Sequence, residues 1–176
     1  MAKQPQADMR GIHRQQDGGY RANKNLCNHC GLRPHCSVKE RRSCDGFIPT
    51  LPFRNAKGTE RSFSTFRLGP AWSKRLKQDD LVAYFDQKIG RVFGYGSVTN
   101  LIHGDKSALE EEHAKTNHLM IFGAYSSNEE FADKFRKVVR SAYGNLIYEG
   151  YQDATVIYLK SIDLDTALKK IPEVDI

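Results

Sequence analysis

The sequence predicts an α+β fold: one mixed domain over residues 59–176, preceded by a four-cysteine metal-binding segment with its linker over 26–58 and a flexible basic arm over 1–25. Three observations predict it. All four cysteines fall between Cys27 and Cys44, in a C-x2-C-x5-C-x7-C pattern. Beyond about residue 60, short apolar runs alternate with stretches of helical periodicity. Lys and Arg are concentrated early, with 16 against 5 Asp and Glu in residues 1–78, and 11 against 16 in residues 79–176.

Residues 1–25, rich in Gln, Asp, Gly, Arg and Lys, show no periodicity and read as an arm that orders on a partner. In the segment that follows, four thiolates complete the shell of a closed tetrahedral zinc site. C-x2-C followed by Gly31 has the form of a zinc knuckle, where glycine lets backbone amides turn toward sulfur. Zinc is the expected ion, and a [4Fe-4S] cluster, which also takes four cysteines, stands as the alternative. A disulfide pair needs an oxidising compartment, and the start MAKQPQADMR has no apolar leader core to direct it there. His29 and His35 lie inside the loop, but four sulfurs suffice, so Cys27, Cys30, Cys36 and Cys44 are taken as the ligands. Residues 1–62 hold few large aliphatics beyond Leu26, Leu32, Val38, Ile48 and Leu51, too few to offset chain entropy. A bound metal supplies the missing free energy, about 10 kcal/mol in small zinc modules. Pro49, Pro52 and Gly58 keep the chain irregular to about residue 60.

The mixed domain opens with a short strand from Ser62 to Phe66, and Gly69-Pro70 turns the chain into a short helix from Ala71 to Leu76. Leu81–Asp86 is an apolar strand, and Gln87–Gly90 turns it into a second strand from Arg91 to Asn100, its antiparallel neighbour. Ser107 is the expected N-cap of a helix over Ala108–Thr116, with Glu110, Glu111 and Glu112 near its positive end. A short apolar segment, Leu119–Phe122, precedes a helix opened by Ser127 and stopped by Gly144. On that helix Phe131, Phe135, Val138, Val139 and Ala142 form a buried stripe. Ala154–Leu159 is a strong strand, and Leu164–Lys170 a terminal helix.

No run approaches the roughly 20 apolar residues of a membrane span, so the expectation is a soluble, cytoplasmic protein without a membrane partner. The basic half is the expected surface for a polyanion. Lys39, Arg41 and Arg42 lie in the metal loop, and Arg54, Lys57, Arg61, Arg67, Lys74, Arg75 and Lys77 follow, interleaved with Phe53, Phe63, Phe66 and Trp72. Cations for phosphates and rings for bases suit a nucleic-acid strand. Arg41, Arg42, Arg54, Lys57, Arg67, Trp72, Lys74 and Arg75 are the candidate contacts. For Arg67 a structural ion pair with Asp79 or Asp80 is the competing role, and His113 and His118 are expected at the surface.

The run TFRLGPAWSKRLKQDDLVAYFDQKIGRVFGYGSVTN, with FADKFRKVVRSAYG and ATVIYLKSI after it, resembles the ASCH domains of the PUA-like superfamily over about residues 60–162. Within that family it is most similar to small phage and prophage proteins with a cysteine-rich segment upstream. The resemblance implies a small β-barrel with flanking helices and a cleft near the first helix for RNA or a modified nucleoside. RNA is therefore expected over DNA. Some members are hydrolases with a lysine and a glutamate around a G-K-K-T-like motif. Thr65, Phe66 and Arg67 match its end, but Ser62, Phe63 and Ser64 stand where the lysine would be. A hydrolase would therefore need Lys74 or Lys57 with one of Glu110, Glu111, Glu112 or His118, and the catalytic residues stay unassigned. A phage or host protein docking on the cysteine loop or the acidic half is a third reading.

Overall fold

The computed structural model describes residues 8–37, 40–122 and 127–170. Its strands are β1 (Ile12–Arg14), β2 (Tyr20–Ala22), β3 (Ser43–Cys44), β4 (Thr50–Phe53), β5 (Ser62–Leu68), β6 (Leu81–Asp86), β7 (Arg91–Asp105) and β8 (Asp153–Ile162). Its α-helices are α1 (Ala71–Arg75), α2 (Lys106–His113), α3 (Asn128–Tyr143), α4 (Asn145–Gly150) and α5 (Leu164–Lys169). The fold is mixed α+β, as expected, with one three-stranded sheet, β1-β2-β3, and one five-stranded sheet of order β4-β6-β7-β8-β5. No described helix is long and apolar enough to cross a membrane.

The chain divides into two compact units that do not follow its order. The first gathers the residues up to Ala56, Asp80–Ser97 and the residues from Ser161 onward. The second gathers Lys57–Asp79 and Val98–Lys160.

In the first unit, the stretch expected to be a flexible arm forms strands. Ile12 pairs with Ala22, and Tyr20 pairs with Cys44, so β2 is held on both sides. Ile12, Tyr20 and Ala22 are buried while Arg21 is exposed, the alternation of a half-covered strand. The runs are three residues long and their partner arrives beyond the cysteine loop, which is why no local periodicity reveals them. Residues 1–7 of the expected arm, and Lys39, lie outside the described residues. The expected linker likewise contains β4, which runs parallel to β6 with Pro52 opposite Phe85. Pro52 is tolerated because β4 is an edge strand. β6 and β7 form the expected hairpin, with the Asp86 carboxylate accepting from the Lys88 and Ile89 amides in its turn. The core of this unit includes Leu32, Ile48, Ala83, Tyr95 and Ala167.

In the second unit, β5 and β8 pair antiparallel from Ser62↔Lys160 to Leu68↔Ala154. α2 starts earlier than expected: Asp105, not Ser107, is its N-cap, accepting from the Ala108 amide at 2.9 Å. Glu110, Glu111 and Glu112 therefore lie beyond the first turn, too far along for the dipole role. The short apolar segment Leu119–Phe122 forms turns. α3 is capped by Ser127 as expected and ends at Gly144, whose φ of 84° suits glycine. α4, which follows at once, is an addition. Phe66, Leu68, Leu109, Phe135, Val139 and Val156 lie in the core of this unit.

Candidate metal centre and nucleic-acid interface

The four cysteines come from three stretches that side-chain and backbone bonds hold together. Leu26–His29 forms a 3-10 turn whose cap, Asn25, accepts from the Cys27 amide at 3.0 Å and from the Arg41 amide at 3.2 Å. The Leu26 amide donates to the Arg41 carbonyl at 2.6 Å. The first cysteine pair is thus tied to the segment that carries Cys44 on β3. Cys36 is placed by its amide, which donates to the Leu32 carbonyl at 3.0 Å.

None of the four cysteines is in a disulfide, and all four line one cavity of about 20 Å³ together with Leu26, Leu32, Arg33, Arg41, Gly46 and Phe47. His29 and His35 are not in that lining. Burial pushes the Cys27 thiol up, and the Cys36 and Cys44 sulfurs push the same way, while the Arg41 amide and the Arg33 charge pull it down. Burial raises the Cys30 thiol to about 11, with Cys44 and Cys27 adding and the Ile48 and Leu32 backbone opposing. Cys27 and Cys30 thus each feel two of the other sulfurs. Among the described residues, no three His, Cys, Asp or Glu side chains already stand in metal-binding geometry. The donor set fits one ion chemically, by number, type and shared cavity, and the sulfurs would have to close in on it. Arg33, buried on the cavity wall, has no counterpart among the cations singled out in the sequence. Its position inside the C-x5-C spacing was the available signal.

The cations expected to meet nucleic acid fall in both units. In the first, Arg42 and Arg54 are exposed and Arg41 is half-buried on the cavity wall. In the second, Lys74 is exposed on α1, and the Arg75 guanidinium lies 5.4 Å from the centre of the Trp72 ring. Trp72 itself is buried. The Lys57 ammonium lies 5.8 Å from the Phe122 ring. Arg67 is drawn inward on β5, where burial pushes its guanidinium pKa down and the Tyr143 hydroxyl opposes that shift. Asp80, one of its expected partners, pairs instead with Arg14.

The charge asymmetry of the two chain halves does not map onto the units. Among the described residues the first unit carries 12 Lys and Arg against 8 Asp and Glu, and the second 13 against 11. The excess of the first lies in residues 8–56, with 8 against 4; its other two stretches balance at 4 against 4.

Solved ASCH structures resemble this chain. The ASCH protein from Zymomonas mobilis aligns over 66% of this chain and 73% of its own, at 15% identity and a TM-score of 0.37. A variant of that protein aligns over 66% and 75%, at 15% identity and 0.39. A protein of Enterococcus faecalis V583 from the DUF984 family aligns over 65% and 69%, at 8% identity and 0.43. No family model and no curated protein matches the chain. Likeness at this level transfers no site residue, so each position rests on its own surroundings.

The residues considered for hydrolysis have other partners. Glu110 is fully buried, accepting from the Tyr148 hydroxyl at 2.6 Å and from Arg136 Nε at 3.2 Å. Glu111 pairs with Arg136 at 2.7 Å. No hydrogen bond or ion pair joins Lys74 to a carboxylate among the described residues. Of the histidines expected at the surface, His118 is buried and His113 half-buried. His118 is 6% exposed, its Nδ1 hydrogen-bonded to the Lys57 carbonyl at 2.9 Å and its ring edge-on to Phe63. Burial, reinforced by the Arg67 charge and opposed by the Lys57 bond, lowers its pKa to about 4. His113 Nδ1 meets the Tyr158 hydroxyl at 2.7 Å. The i,i+5 spacing of the two could not show this, because both partners come from distant strands or loops.

Proposed function

We propose that the chain is a nucleic-acid-binding protein, RNA over DNA, of the ASCH type found in phages and prophages, acting in the cytoplasm of the host. In this reading one zinc ion on Cys27, Cys30, Cys36 and Cys44 holds together a basic module that grips backbone phosphates. The observation that carries it is the coincidence, in one module, of four thiols on a common cavity with four of the six excess positive charges of the described residues.

When bound, zinc supplies a rigid four-thiolate node and folding free energy. Four thiolates outweigh a dication by two negative charges, and Arg33 and Arg41 on the wall would offset them. Asn25 orients the first ligand pair through the Cys27 amide, and exposed Arg42 and Arg54 offer planar forks to phosphate.

The test is a metal assay followed by a salt titration of the purified protein against single- and double-stranded RNA and DNA, read for retention and for product. The expected result is one zinc per chain, binding whose log affinity falls linearly with log salt, and intact nucleic acid. Iron-sulfur absorption would replace zinc as the occupant. Product lost on Lys74→Ala would establish the hydrolase instead, and no binding at low salt would point to a protein partner.

A further inference from the structure

The β6–β7 ladder changes register midway: Tyr84 pairs with Gly94 and Phe85 with Val92, which leaves Phe93 with no partner residue on β6. A bulge of this kind bends its strand, releases backbone groups from the ladder and re-aims a side chain, and bulges concentrate beside binding sites. Around this one lies a groove of about 410 Å³, lined by Pro34 and His35, by the strand from Val92 to Tyr95, and by Ile162, Asp163 and Leu164. All of it belongs to the first unit. Its volume falls in the range of sites that hold a small organic group, roughly 300–1,000 Å³.

The lining has a definite chemistry. Pro34, Val92, Phe93, Ile162 and Leu164 are half-buried apolar side chains, and the Phe93 ring is braced by Phe53 at 6.0 Å and Tyr84 at 5.8 Å. His35 is exposed at the rim. Asp163 is already committed, since its carboxylate accepts from the Thr166 amide and hydroxyl. The groove therefore offers flat apolar walls, a braced ring, a bulged stretch of backbone and one imidazole. Of the charges around it, Asp163 in the lining is negative, while Arg91, two residues before Phe93, is exposed, and Pro34 and His35 belong to the loop of the positively charged cysteine module, the side from which an anionic chain would approach.

We propose that this groove holds one unstacked nucleobase of a single-stranded RNA, its faces against Phe93 and the aliphatic walls and its polar edge toward His35 and the bulged backbone. A base has apolar faces and a hydrogen-bonding edge, matching the lining, and its phosphates are the complement of Arg91 and the cysteine module. The inference rests on the nucleic-acid reading above and deepens it, by separating a base-holding groove from the cations that hold phosphate.

The experiment uses the full-length, metal-loaded chain and short single-stranded RNA in three forms: unmodified, carrying 2-aminopurine, and abasic. Wild-type protein is expected to quench 2-aminopurine and to bind the intact strand at least about fivefold more tightly than the abasic one, the low end of one base–aromatic stack. Phe93→Leu keeps the apolar volume but removes the ring. It is expected to lose that preference and the quenching while keeping the wild-type slope of affinity against salt. His35→Ala, at an exposed position, should weaken the intact strand and leave the abasic strand unchanged. Phe93→Leu with wild-type preference and quenching overturns the groove and leaves the phosphate reading standing. Should that variant fail to fold, the wild-type comparison decides, because equal affinity for intact and abasic strands also overturns the groove. No RNA binding by wild type at low salt would remove the nucleic-acid reading, and the groove with it.

Discussion

Gly31→Ala is the sharpest probe of how the cysteine module is held. A Cβ built on Gly31 would stand 2.2 Å from the Ala83 Cβ on β6 and 3.3 Å from the Ile48 carbonyl oxygen. The backbone cannot easily step aside, because the Gly31 amide donates to the Ile48 carbonyl at 2.8 Å and its own carbonyl accepts from the Tyr95 hydroxyl at 3.0 Å. The glycine that the spacing suggests is there to turn amides toward sulfur is thus needed for the close approach of another strand. Overpacking of a tight core costs about 1–3 kcal/mol, and loosening one of the two hydrogen bonds adds about 1 kcal/mol. At roughly 2–4 °C per kcal/mol for a chain of this size, the melting temperature should fall by about 4–16 °C. Ala83→Gly alone should cost about 1–2 kcal/mol, from the lost methyl and the added backbone freedom. The two together should cost at least about 1 kcal/mol less than the sum of the singles, because the second opens the space that the first needs. Thermal and urea unfolding of all four proteins, metal-loaded and followed by circular dichroism, measures the cycle. An unchanged melting temperature for Gly31→Ala, or strict additivity in the double variant, would refute the reasoning.

Cys44→Ser should abolish stoichiometric zinc and weaken RNA binding, while a chelator should do the same to wild type; metal content and affinity measured on the same samples check both. Phe135→Ala removes a ring that is 1% exposed and edge-on to Phe66 at 5.3 Å, in the second unit. The expected loss is about 3–5 kcal/mol with zinc content unchanged, so a simultaneous loss of metal would show the units to be less separable than drawn. His118 sets a pH dependence: its folded pKa of about 4 lies below the unfolded value near 6.5, so the unfolded state takes up the proton first. Its contribution is fully present above about pH 6.5 and is lost as pH falls toward 4, up to about 3 kcal/mol in all. Unfolding free energies between pH 7 and 4.5 should fall less steeply for His118→Gln than for wild type, and parallel curves would sink the assignment.

What the sequence made legible was local. α3 was readable because Ser127, the 3.6-residue stripe through Phe135 and Val139, and Gly144 all agree within one segment. The β6–β7 hairpin was readable because four residues join two apolar runs, with Asp86 bonding inside the turn. What was not legible depended on distant partners. Tyr20–Ala22 is a strand because Cys44 and Ser43 lie beside it, across a loop that supplies no pattern. Asp105 takes the cap that Ser107 was expected to fill because β7 runs five residues beyond Asn100, directly into the helix. The thiols were recognised as a set, but their tie through Asn25 to Arg41 and the buried Arg33 were invisible without the fold. The Phe93 groove needed a bulge, which no alternation announces.

The interleaving of the two units also changes what the charge can do. Taken along the chain, residues 1–78 hold an excess of 11 positive charges, which as a single surface would engage many phosphates at once. Folded, the excess is divided, and within residues 8–56 several cations are already committed. Arg14 pairs with Asp80, Arg10 with Asp8, and Arg33 and Arg41 line the thiol cavity. Arg21, Lys24, Arg42 and Arg54 are the exposed cations of that stretch besides Arg10. Four phosphate contacts on a single strand correspond to a slope of log affinity against log salt of about −3, whereas eleven would give about −8. A slope near −3 leaves room for contacts that salt does not screen, which is the part a base-holding groove would play. A slope near −8 would mean instead that cations of both units share one strand, and that the phosphate backbone alone accounts for binding.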